Sequence, residues 1–264
     1  MGGIDLVVAT FNVHAGMDGY GRRYDLVAAC KEIGADVLVL QEVFAPGEGV
    51  SQAQEIARDL GYHRFELPLS HSFRTRRAVP GAPADEWEPR RPYPRVARAL
   101  RVGRSRRRTR PKEGYEEGSW GIAVLTRQEA ARFDSIELGR LRRDFTRRAA
   151  LVVELACGLT VVGTHMAHFS HGSPLLYARL RKALPDPEQP ALLAGDMNFW
   201  GPPVELALPG WRRAVKAKTW PARRPRHQLD HLLVTRPVEV LDGSALGAGN
   251  SDHLPLRARI SFNT

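Results

Sequence analysis

The sequence contains very little cysteine, with only Cys30 and Cys157 in 264 residues. Two cysteines are too few for a disulfide-stabilised scaffold or a thiolate metal site, and both lie in apolar segments that favour a buried, inert thiol. No apolar run approaches the roughly 18 residues that would span a bilayer. The first residues, MGGIDLVVAT, lack the basic start of a signal or transit peptide. We therefore expect a cytoplasmic protein.

Apolar residues and arginine, in contrast, are abundant. Hydrophobic residues make up 43% of the chain, which supports a substantial core and a single domain over residues 1–264. The formal net charge is +10, and residues 70–112 alone hold 14 Arg or Lys against three acidic residues. This composition, which is also rich in proline, predicts a basic insertion at about 66–118 without a core of its own.

The basic segments suggest a polyanionic partner. A second stretch, 211–226, has seven basic residues, no acidic residue, and the tryptophans Trp211 and Trp220. Cationic and aromatic side chains together bind nucleic-acid strands through phosphate contacts and base stacking. A solvated loop for the insertion, and a hairpin anchored on the core by its tryptophans for 211–226, are the alternatives. We expect nucleic acid to bind through 70–112 and 211–226, with an anionic lipid surface as a second possibility. No protein partner is predicted, and we expect a monomer.

Short apolar runs that alternate with helical patterns predict a mixed α/β domain. The predicted strands are Ile4–Val13, Asp36–Val43, Gly121–Thr126, Ala150–Ala156, Leu159–Ala167, Ala191–Gly195, Leu229–Thr235 and Leu256–Phe262. The predicted helices are Tyr24–Ile33, Gln52–Leu60 and Pro174–Leu184. Gly34 and Gly61 follow the first two helices, where glycine is the favoured terminating residue.

Polar side chains end the first two predicted strands. Asn12 and His14 follow the apolar body of the first strand, and Glu42 follows that of the second. A carboxylate at the end of a buried strand is unfavourable unless a positive charge neutralises it. A hard divalent ion would do so, and an Asn carbonyl oxygen is a suitable second ligand. A salt bridge or a capping role is the alternative for Glu42.

Two further strands end in residues suited to catalysis. Asp196 and Asn198 are two positions apart, so in an extended chain both side chains point to one face. Such a pair can orient an attacking water and hold a phosphoryl oxygen, although GDMN is also a favourable turn sequence. His165 can act as acid, base or hydrogen-bond donor near neutral pH. His168 and His171 share no face with it and are interpreted as loop residues.

Two Asp–His pairs lie at strand ends, in QLDHLLVT and NSDHLPL. Because an aspartate can fix the tautomer of an imidazole and stabilise its cation, this combination suits general acid–base catalysis. Adjacent residues of a strand point to opposite faces. We therefore expect Asp230 to orient His253, which leaves Asp252 free to join a metal site and turns His231 towards the core.

The ordered motifs FNVH, LQEV, THMAH, GDMN, LDHLLV and SDHLPL resemble those of the endonuclease/exonuclease/phosphatase superfamily. This group includes pancreatic-type DNases, exonuclease III-like abasic-site endonucleases, neutral sphingomyelinases and inositol polyphosphate 5-phosphatases. The resemblance runs from Asn12 to His253 and is interrupted mainly by the basic insertion. It implies a four-layer α/β sandwich of two mixed sheets flanked by helices. It also implies hydrolysis of a phosphate ester by in-line attack of water, with Mg²⁺ or Mn²⁺ as cofactor.

The resemblance also implies metal ligands. Glu42 resembles the main ligand, with Asn12 beside it, and Asp252 resembles a further ligand. His14 departs from the pattern, since it stands where many nucleases of the superfamily have an aspartate.

The catalytic roles implied by the resemblance fall on five residues. Asp196 is similar to the residue that orients or deprotonates the attacking water, and Asn198 to the amide that binds the phosphoryl oxygen. His253 matches the imidazole that contacts the scissile phosphate, held by Asp230, and His165 stands where DNases and sphingomyelinases carry a histidine. The leading hypothesis is a nuclease; a phospholipid, phosphoinositide or small-molecule phosphoesterase is the alternative.

Overall fold

The computed structural model describes residues 3–19, 21–75, 115–142, 144, 146–168, 173–247 and 250–263. These residues form twelve strands and four α-helices, with one turn of 3₁₀ helix at His14–Gly16. The strands are β1 (Ile4–Asn12), β2 (Val37–Pro46), β3 (His63–Thr75), β4 (Tyr115–Thr126), β5 (Ala130–Gly139), β6 (Arg148–Leu155), β7 (Thr160–His165), β8 (Ala191–Asp196), β9 (Arg212–Arg213), β10 (Asp230–Val234), β11 (Glu239–Ala245) and β12 (Leu256–Phe262). The helices are α1 (Leu26–Ile33), α2 (Gln52–Leu60), α3 (Ser173–Ala183) and α4 (Gly201–Ala207).

The strands make two mixed sheets of six strands each. The first has the order β11-β12-β1-β2-β4-β3 and the second the order β5-β6-β7-β8-β10-β9. The pairs β1–β2 and β7–β8 are parallel, whereas the other described pairs are antiparallel.

Three apolar clusters separate the layers of the fold. One contains side chains of both sheets, such as Val39, Val124 and Leu192, and fills the space between them. A second packs α1 and α2 against the first sheet, and a third packs α3 and α4 against the second sheet. The expected four-layer sandwich is therefore confirmed, and the predicted α/β class with it.

The predicted strands correspond to the eight interior strands of the two sheets. Among the described residues, the four edge strands β3, β5, β9 and β11 and the short helix α4 were not predicted.

The helix termini follow the sequence signals. Helix α1 begins at Leu26 rather than Tyr24 because the carboxylate of Asp25 accepts the Ala28 N–H at 2.9 Å and caps the helix. Gly34 and Gly61 take left-handed conformations, with φ of 59° and 72°, which confirms both as terminating residues. No helix of the described chain is long and apolar enough to cross a membrane.

The bounds of the predicted basic insertion need correction. Strand β3 continues to Thr75 and β4 begins at Tyr115, and these two residues are paired in the ladder. Residues 66–75 and 115–118 are therefore strand rather than insertion. Pro68 is tolerated because β3 is an edge strand, and the register shifts between Pro68 and Ser70. Residues 76–114, with most of the basic segment 70–112, lie outside the described residues.

Candidate active site

Strand register places three of the candidate residues in one row. His165 ends β7 and is paired with Asp196 at the end of β8, and Asp196 is paired in turn with Asp230 at the start of β10. Asn12, at the end of β1 in the other sheet, reaches across and donates an amide hydrogen bond to Asp196 Oδ2 at 3.1 Å. The site therefore lies where the ends of the two sheets meet.

The expected pairing of Asp230 with His253 is present. His253 Nδ1 lies 2.8 Å from Asp230 Oδ2, and both side chains are buried. His253 Nε2 lies 3.9 Å from Asp196 Oδ2, on the other side of the ring. Residues 250–253 form the loop before β12, so the premise of a strand at Asp252 and His253 was wrong. Contact between distant segments, rather than strand alternation, sets the pairing.

The side chain of Asn12 bridges two carboxylates. Its Nδ2 lies 3.2 Å from Glu42 Oε1 and 3.1 Å from Asp196 Oδ2, and its Oδ1 accepts the His14 backbone N–H at 3.1 Å. Asn12 thus directs its side-chain N–H groups towards the two carboxylates, while its amide oxygen accepts a hydrogen bond from the backbone. Its role as a metal ligand stays a prediction.

Three candidate residues have an unusual backbone conformation. Among the described residues other than glycine, positive φ occurs at His14 (47°), Ala15 (54°), Glu42 (56°) and Asn198 (48°). Glu42 is the extra residue of a bulge in β2, since the register against β4 shifts between Gln41 and Val43. Bulges and left-handed residues are found next to functional sites because they redirect a side chain at a cost in backbone strain.

Asn198 reaches the site through a turn. Its positive φ ends the extended chain, and its backbone N–H donates to Asp196 Oδ1 at 2.8 Å. The prediction that an extended strand would put both side chains on one face was therefore wrong, and the alternative turn interpretation was correct. The turn still brings Asn198 Nδ2 to 3.3 Å from His165 Nε2 and 3.0 Å from Met166 O.

The side chain of His165 is buried at the end of β7, beside the buried ion pair of Arg148 and Asp144. Arg148 donates to Asp144 Oδ2 at 2.7 Å and to the His165 carbonyl oxygen at 3.1 Å. The ring of Trp120 packs edge-on against the imidazole, with 5.3 Å between centroids. Burial, helped by the charges of Arg148 and His253, holds the pKa of His165 well below its ordinary value, so the ring is neutral.

The cluster of Asp196, Asp230 and His253 contains charged groups that shift one another's pKa values strongly. Burial, together with the charge of Asp230, raises the pKa of Asp196 to about 7. Burial lowers the pKa of His253, but the neighbouring carboxylates, led by Asp230, outweigh it and raise that pKa to about 10. Asp196, Asp230 and His253 have potential ligand atoms within 4.8 Å of one another. A buried group of carboxylates with one imidazolium favours a further cation.

Asp252 and His14 lie at the outer edge of the site. His14 Nδ1 is 3.5 Å from Asp252 Oδ1, and both side chains are partly exposed. His231, in contrast, is fully buried, and its Nε2 lies 2.9 Å from the Phe199 carbonyl oxygen. This is the core-facing position that the sequence predicts for it.

Sequence reasoning missed several residues that hold the site together. Ser251 donates to the Asn12 carbonyl oxygen at 2.7 Å and so ties the loop before β12 to the end of β1. Thr219 Oγ1 accepts the backbone N–H of Asp230 at 3.3 Å. Arg148 had a visible signal, because a charged residue opens an otherwise apolar strand in TRRAALVVEL. Ser251 stands inside a quoted motif, but nothing in the sequence marks its partner.

The second basic stretch borders the site. Trp211 is buried, as expected of an anchor, while Trp220 is half-buried and stacks against His227 at 6.3 Å. The Ala222 backbone N–H donates to the Asp252 carbonyl oxygen at 2.8 Å. The exposed residues Arg223, Arg224 and Arg226 follow directly, so positive charge lies beside the cluster.

Comparison with solved structures agrees with the fold. Structures with this fold include an endonuclease/exonuclease/phosphatase from Beutenbergia cavernae, with 19% identity and a TM-score of 0.66 over 98% of this chain and 72% of that one. The human Nocturnin catalytic domain with bound sulfate anion has 18% identity and a TM-score of 0.61 over 98% and 94% of the chains. Truncated TDP2 from Caenorhabditis elegans has 14% identity and a TM-score of 0.55 over 98% of each chain.

The family is shown by the sequence itself. Residues 9–253 match the model of the Endonuclease/Exonuclease/phosphatase family, and the chain belongs to that family, whose members are hydrolases of phosphoesters. No curated protein matches the sequence.

Proposed function

We propose that the protein is a divalent-metal-dependent phosphodiesterase that hydrolyses nucleic acid by in-line attack of water. The observation that carries this proposal is the buried cluster in which Asp230 holds His253 while Asn12 bridges Glu42 and Asp196. Family membership supports hydrolysis of a phosphoester. The related fold of human Nocturnin is described with a bound sulfate, which is a tetrahedral oxyanion like phosphate.

The donor set suits a divalent ion. Glu42 and Asp196 both lie against the single amide of Asn12, so negative charge accumulates where one neutral group separates two carboxylates. Glu42 and Asp252 would hold Mg²⁺ or Mn²⁺, with Asn12 beside them, because these hard ions prefer oxygen ligands and retain several waters. When bound, the ion supplies positive charge to the phosphoryl oxygens.

Side chains of the protein take the remaining catalytic roles. Asp196 orients the attacking water and takes its proton, because its Oδ2 faces the space between His165 and His253. Asn198 would give up its hydrogen bond to Met166 O and donate that N–H to a phosphoryl oxygen. His253, kept charged by Asp230, stabilises the negative charge that grows on the phosphate in the transition state. Neutral His165 holds Asn198 in place through the contact between Nε2 and Nδ2.

The basic residues favour nucleic acid over a lipid. Arg223, Arg224 and Arg226 form an exposed positive edge that is tied to Asp252 through Ala222. Several closely spaced arginines beside a hydrolytic centre suit a repeating phosphate backbone, which they contact at successive phosphates.

Substrate class can be tested by incubating the protein with supercoiled plasmid, single-stranded oligonucleotides and anionic phospholipid vesicles, each with Mg²⁺, Mn²⁺ or EDTA. We expect metal-dependent cleavage of the nucleic acids and none of the phospholipid. Hydrolysis of the phospholipid alone would replace the nucleic-acid assignment with a lipid one. No hydrolysis of any phosphodiester would contradict the proposed function as a whole.

A further inference from the structure

Seven large apolar side chains are exposed within the described part of the chain, and three of them belong to α3, α4 and the residue before α4. These are Leu175, Trp200 and Leu206, which are 51%, 51% and 83% exposed. Leu206 is the most exposed of the seven. A single exposed apolar residue is ordinary, whereas several on one surface indicate a contact site.

A groove of about 180 Å³ between α3 and α4 brings parts of this surface together. Trp200 stacks on Phe199, which lines the groove, with 6.3 Å between the ring centroids. Leu175 and Leu206 are the chain neighbours of two other lining residues. The lining includes Pro174, Ala178, Arg181, Phe199 and Ala207. We call α3, α4, Phe199 and Trp200 the α3–α4 face.

The charge of the α3–α4 face is positive. Helix α3 contains Arg179, Arg181 and Lys182 and no acidic residue. Glu205, the one acidic residue of α4, accepts hydrogen bonds from the backbone N–H and from Nε of Arg213 at 2.9 and 3.1 Å, so its charge is balanced within the protein. Arg181 and Lys182 are exposed. The face therefore combines exposed apolar side chains with exposed positive charge.

This combination discriminates between possible occupants. A second copy of the chain would bring the same basic residues of both subunits together, because a two-fold interface uses one patch on each subunit, and like charges repel. A nucleic acid would contact the basic residues through its phosphates but would leave the exposed leucines without an apolar partner. An anionic bilayer offers hydrocarbon to leucine, its interfacial region to tryptophan, and negative headgroups to arginine and lysine.

We propose that the α3–α4 face docks on an anionic lipid bilayer. Leu175, Trp200 and Leu206 enter the boundary between headgroups and acyl chains, while Arg181 and Lys182 contact the anionic headgroups. The helices lie on the bilayer and do not cross it. The bilayer is a docking surface rather than the substrate, so the proposal goes beyond the proposed function and does not depend on it.

Co-sedimentation with vesicles tests the docking, using vesicles of phosphatidylcholine alone and of equal parts phosphatidylcholine and phosphatidylserine. We expect the protein to bind the mixed vesicles more tightly than the neutral ones. Leu206→Ser should weaken this binding by about tenfold, because the leucine no longer enters the bilayer. Leu241→Ser, the same exchange at an exposed position of edge strand β11 in the other sheet, is the matched control and should bind like the wild type. Equal binding by the two variants would overturn the proposal.

The contribution of charge is tested with two double variants. Arg181→Ser with Lys182→Ser should weaken binding to the mixed vesicles by about thirtyfold, since each basic residue near an anionic surface contributes about fivefold. Lys31→Ser with Arg58→Ser has the same net charge, but these exposed residues lie on α1 and α2, in the opposite outer layer. This control should bind far more tightly than the first variant. Equal weakening would assign vesicle binding to net charge alone and would overturn the docking face.

Insertion is measured by the quenching of tryptophan fluorescence with brominated phosphatidylcholine in the mixed vesicles. Trp200→Phe keeps an apolar ring, so it should still bind the vesicles while losing part of the quenching seen in the wild type. Equal quenching of the bound wild type and the bound Trp200→Phe protein would show that Trp200 does not enter the bilayer, and would contradict the proposal.

The other occupants give different results. A wild-type dimer in light scattering that becomes a monomer in Leu206→Ser would assign the face to a second copy. Weaker binding of a labelled duplex by Leu206→Ser would assign it to nucleic acid. Either result would overturn the proposal. Hydrolysis of an oligonucleotide without vesicles should be equal in Leu206→Ser and the wild type, so failure of the docking and failure of the proposed function are measured separately.

Discussion

Of the two histidines beside Asp230, one is charged and the other is neutral. His253 contacts the Asp230 carboxylate from the loop before β12, and although burial lowers its pKa, the neighbouring carboxylates raise it to about 10. His231 follows Asp230 in β10 and lies on the other side of the strand, where burial lowers its pKa to about 4. The first is a charged group at the site, whereas the second is a neutral support for the segment that carries Asn198.

Replacing Asp230 by asparagine should impair turnover more than binding. The amide is close in size to the carboxylate, but it neither stabilises the imidazolium nor fixes the same tautomer of His253. We expect kcat to fall by about 10²- to 10⁴-fold with a smaller change in KM. Asp242→Asn, on the exposed edge strand β11, is the matched control and should keep wild-type kinetics. Similar kinetics for both variants would exclude Asp230 from the catalytic arrangement.

His231 should make stability depend on pH. The unfolded chain takes up a proton near the ordinary pKa of about 6.5, whereas folded His231 takes it up near about 4, so the contribution of His231 to the free energy of unfolding falls as the pH drops through this range. Between about pH 7.5 and about pH 5 the expected loss is about 2 kcal/mol. His231→Gln keeps an N–H for Phe199 and should lack this component in urea unfolding, while the exposed His63→Gln retains it. The same pH dependence in the wild type and His231→Gln would contradict the assignment.

Among the secondary-structure elements, whether a strand could be predicted from the sequence depended on its position in the sheet. Most of the eight interior strands are largely buried, so they appear in the sequence as nearly continuous apolar runs, whereas β12 alternates buried and more exposed residues. Edge strand β5 is exposed along most of its length, and β9 has only two residues, so neither carries an apolar signal.

The candidate site was predictable to the extent that its residues end apolar strands. Asn12, His165 and Asp196 stand at strand ends and are conspicuous for that reason. Ser251 was missed because its partner is far away in the chain, and Arg148 because its contact with the His165 carbonyl oxygen forms only when β6 and β7 pair. Their partners, His165 and Asn12, are identified by the fold alone.

Gly195 is the backbone position on which the end of β8 depends. A Cβ at this residue would lie 1.9 Å from the Thr164 carbonyl oxygen of the parallel neighbour β7, and its φ is 152°. Gly195→Ala should therefore destabilise the protein by about 3 kcal/mol and displace Asp196, with loss of activity. At Gly61, with φ of 72° and no heavy atom within 4 Å, alanine should cost only about 1 kcal/mol and leave activity intact. Denaturant unfolding measures the loss of stability in each variant, and equal losses would contradict the steric argument.

Across the whole molecule, positive charge is concentrated in a few segments. Residues 70–112 carry a balance of +11 and so account for all of the net charge of +10, and the exposed arginines at 223, 224 and 226 form a basic edge beside Asp252. Binding of duplex DNA should weaken with salt, with a log–log slope of roughly −0.9 for each phosphate contacted.

Replacing Arg223, Arg224 and Arg226 by serine should make that slope shallower by up to about 2.7, because up to three phosphate contacts are removed. The control triple variant Arg58→Ser, Arg132→Ser and Arg236→Ser has the same net charge, but its arginines lie in surface ion pairs elsewhere. Fluorescence anisotropy with a labelled duplex at several salt concentrations measures both slopes. Equal slopes for the two triple variants would remove the basic edge from the binding surface.

The most direct measurement of the central claim is turnover of a small aryl phosphodiester by the wild type, His253→Ala and His63→Ala in Mg²⁺, Mn²⁺ and EDTA. This substrate tests the cluster without depending on the basic segments or on a particular nucleic acid. We expect metal-dependent hydrolysis by the wild type and by His63→Ala, whose altered residue is exposed in β3, and loss of that hydrolysis in a folded His253→Ala protein. Metal-dependent turnover that survives in His253→Ala at the wild-type rate would show that the reaction occurs without this cluster.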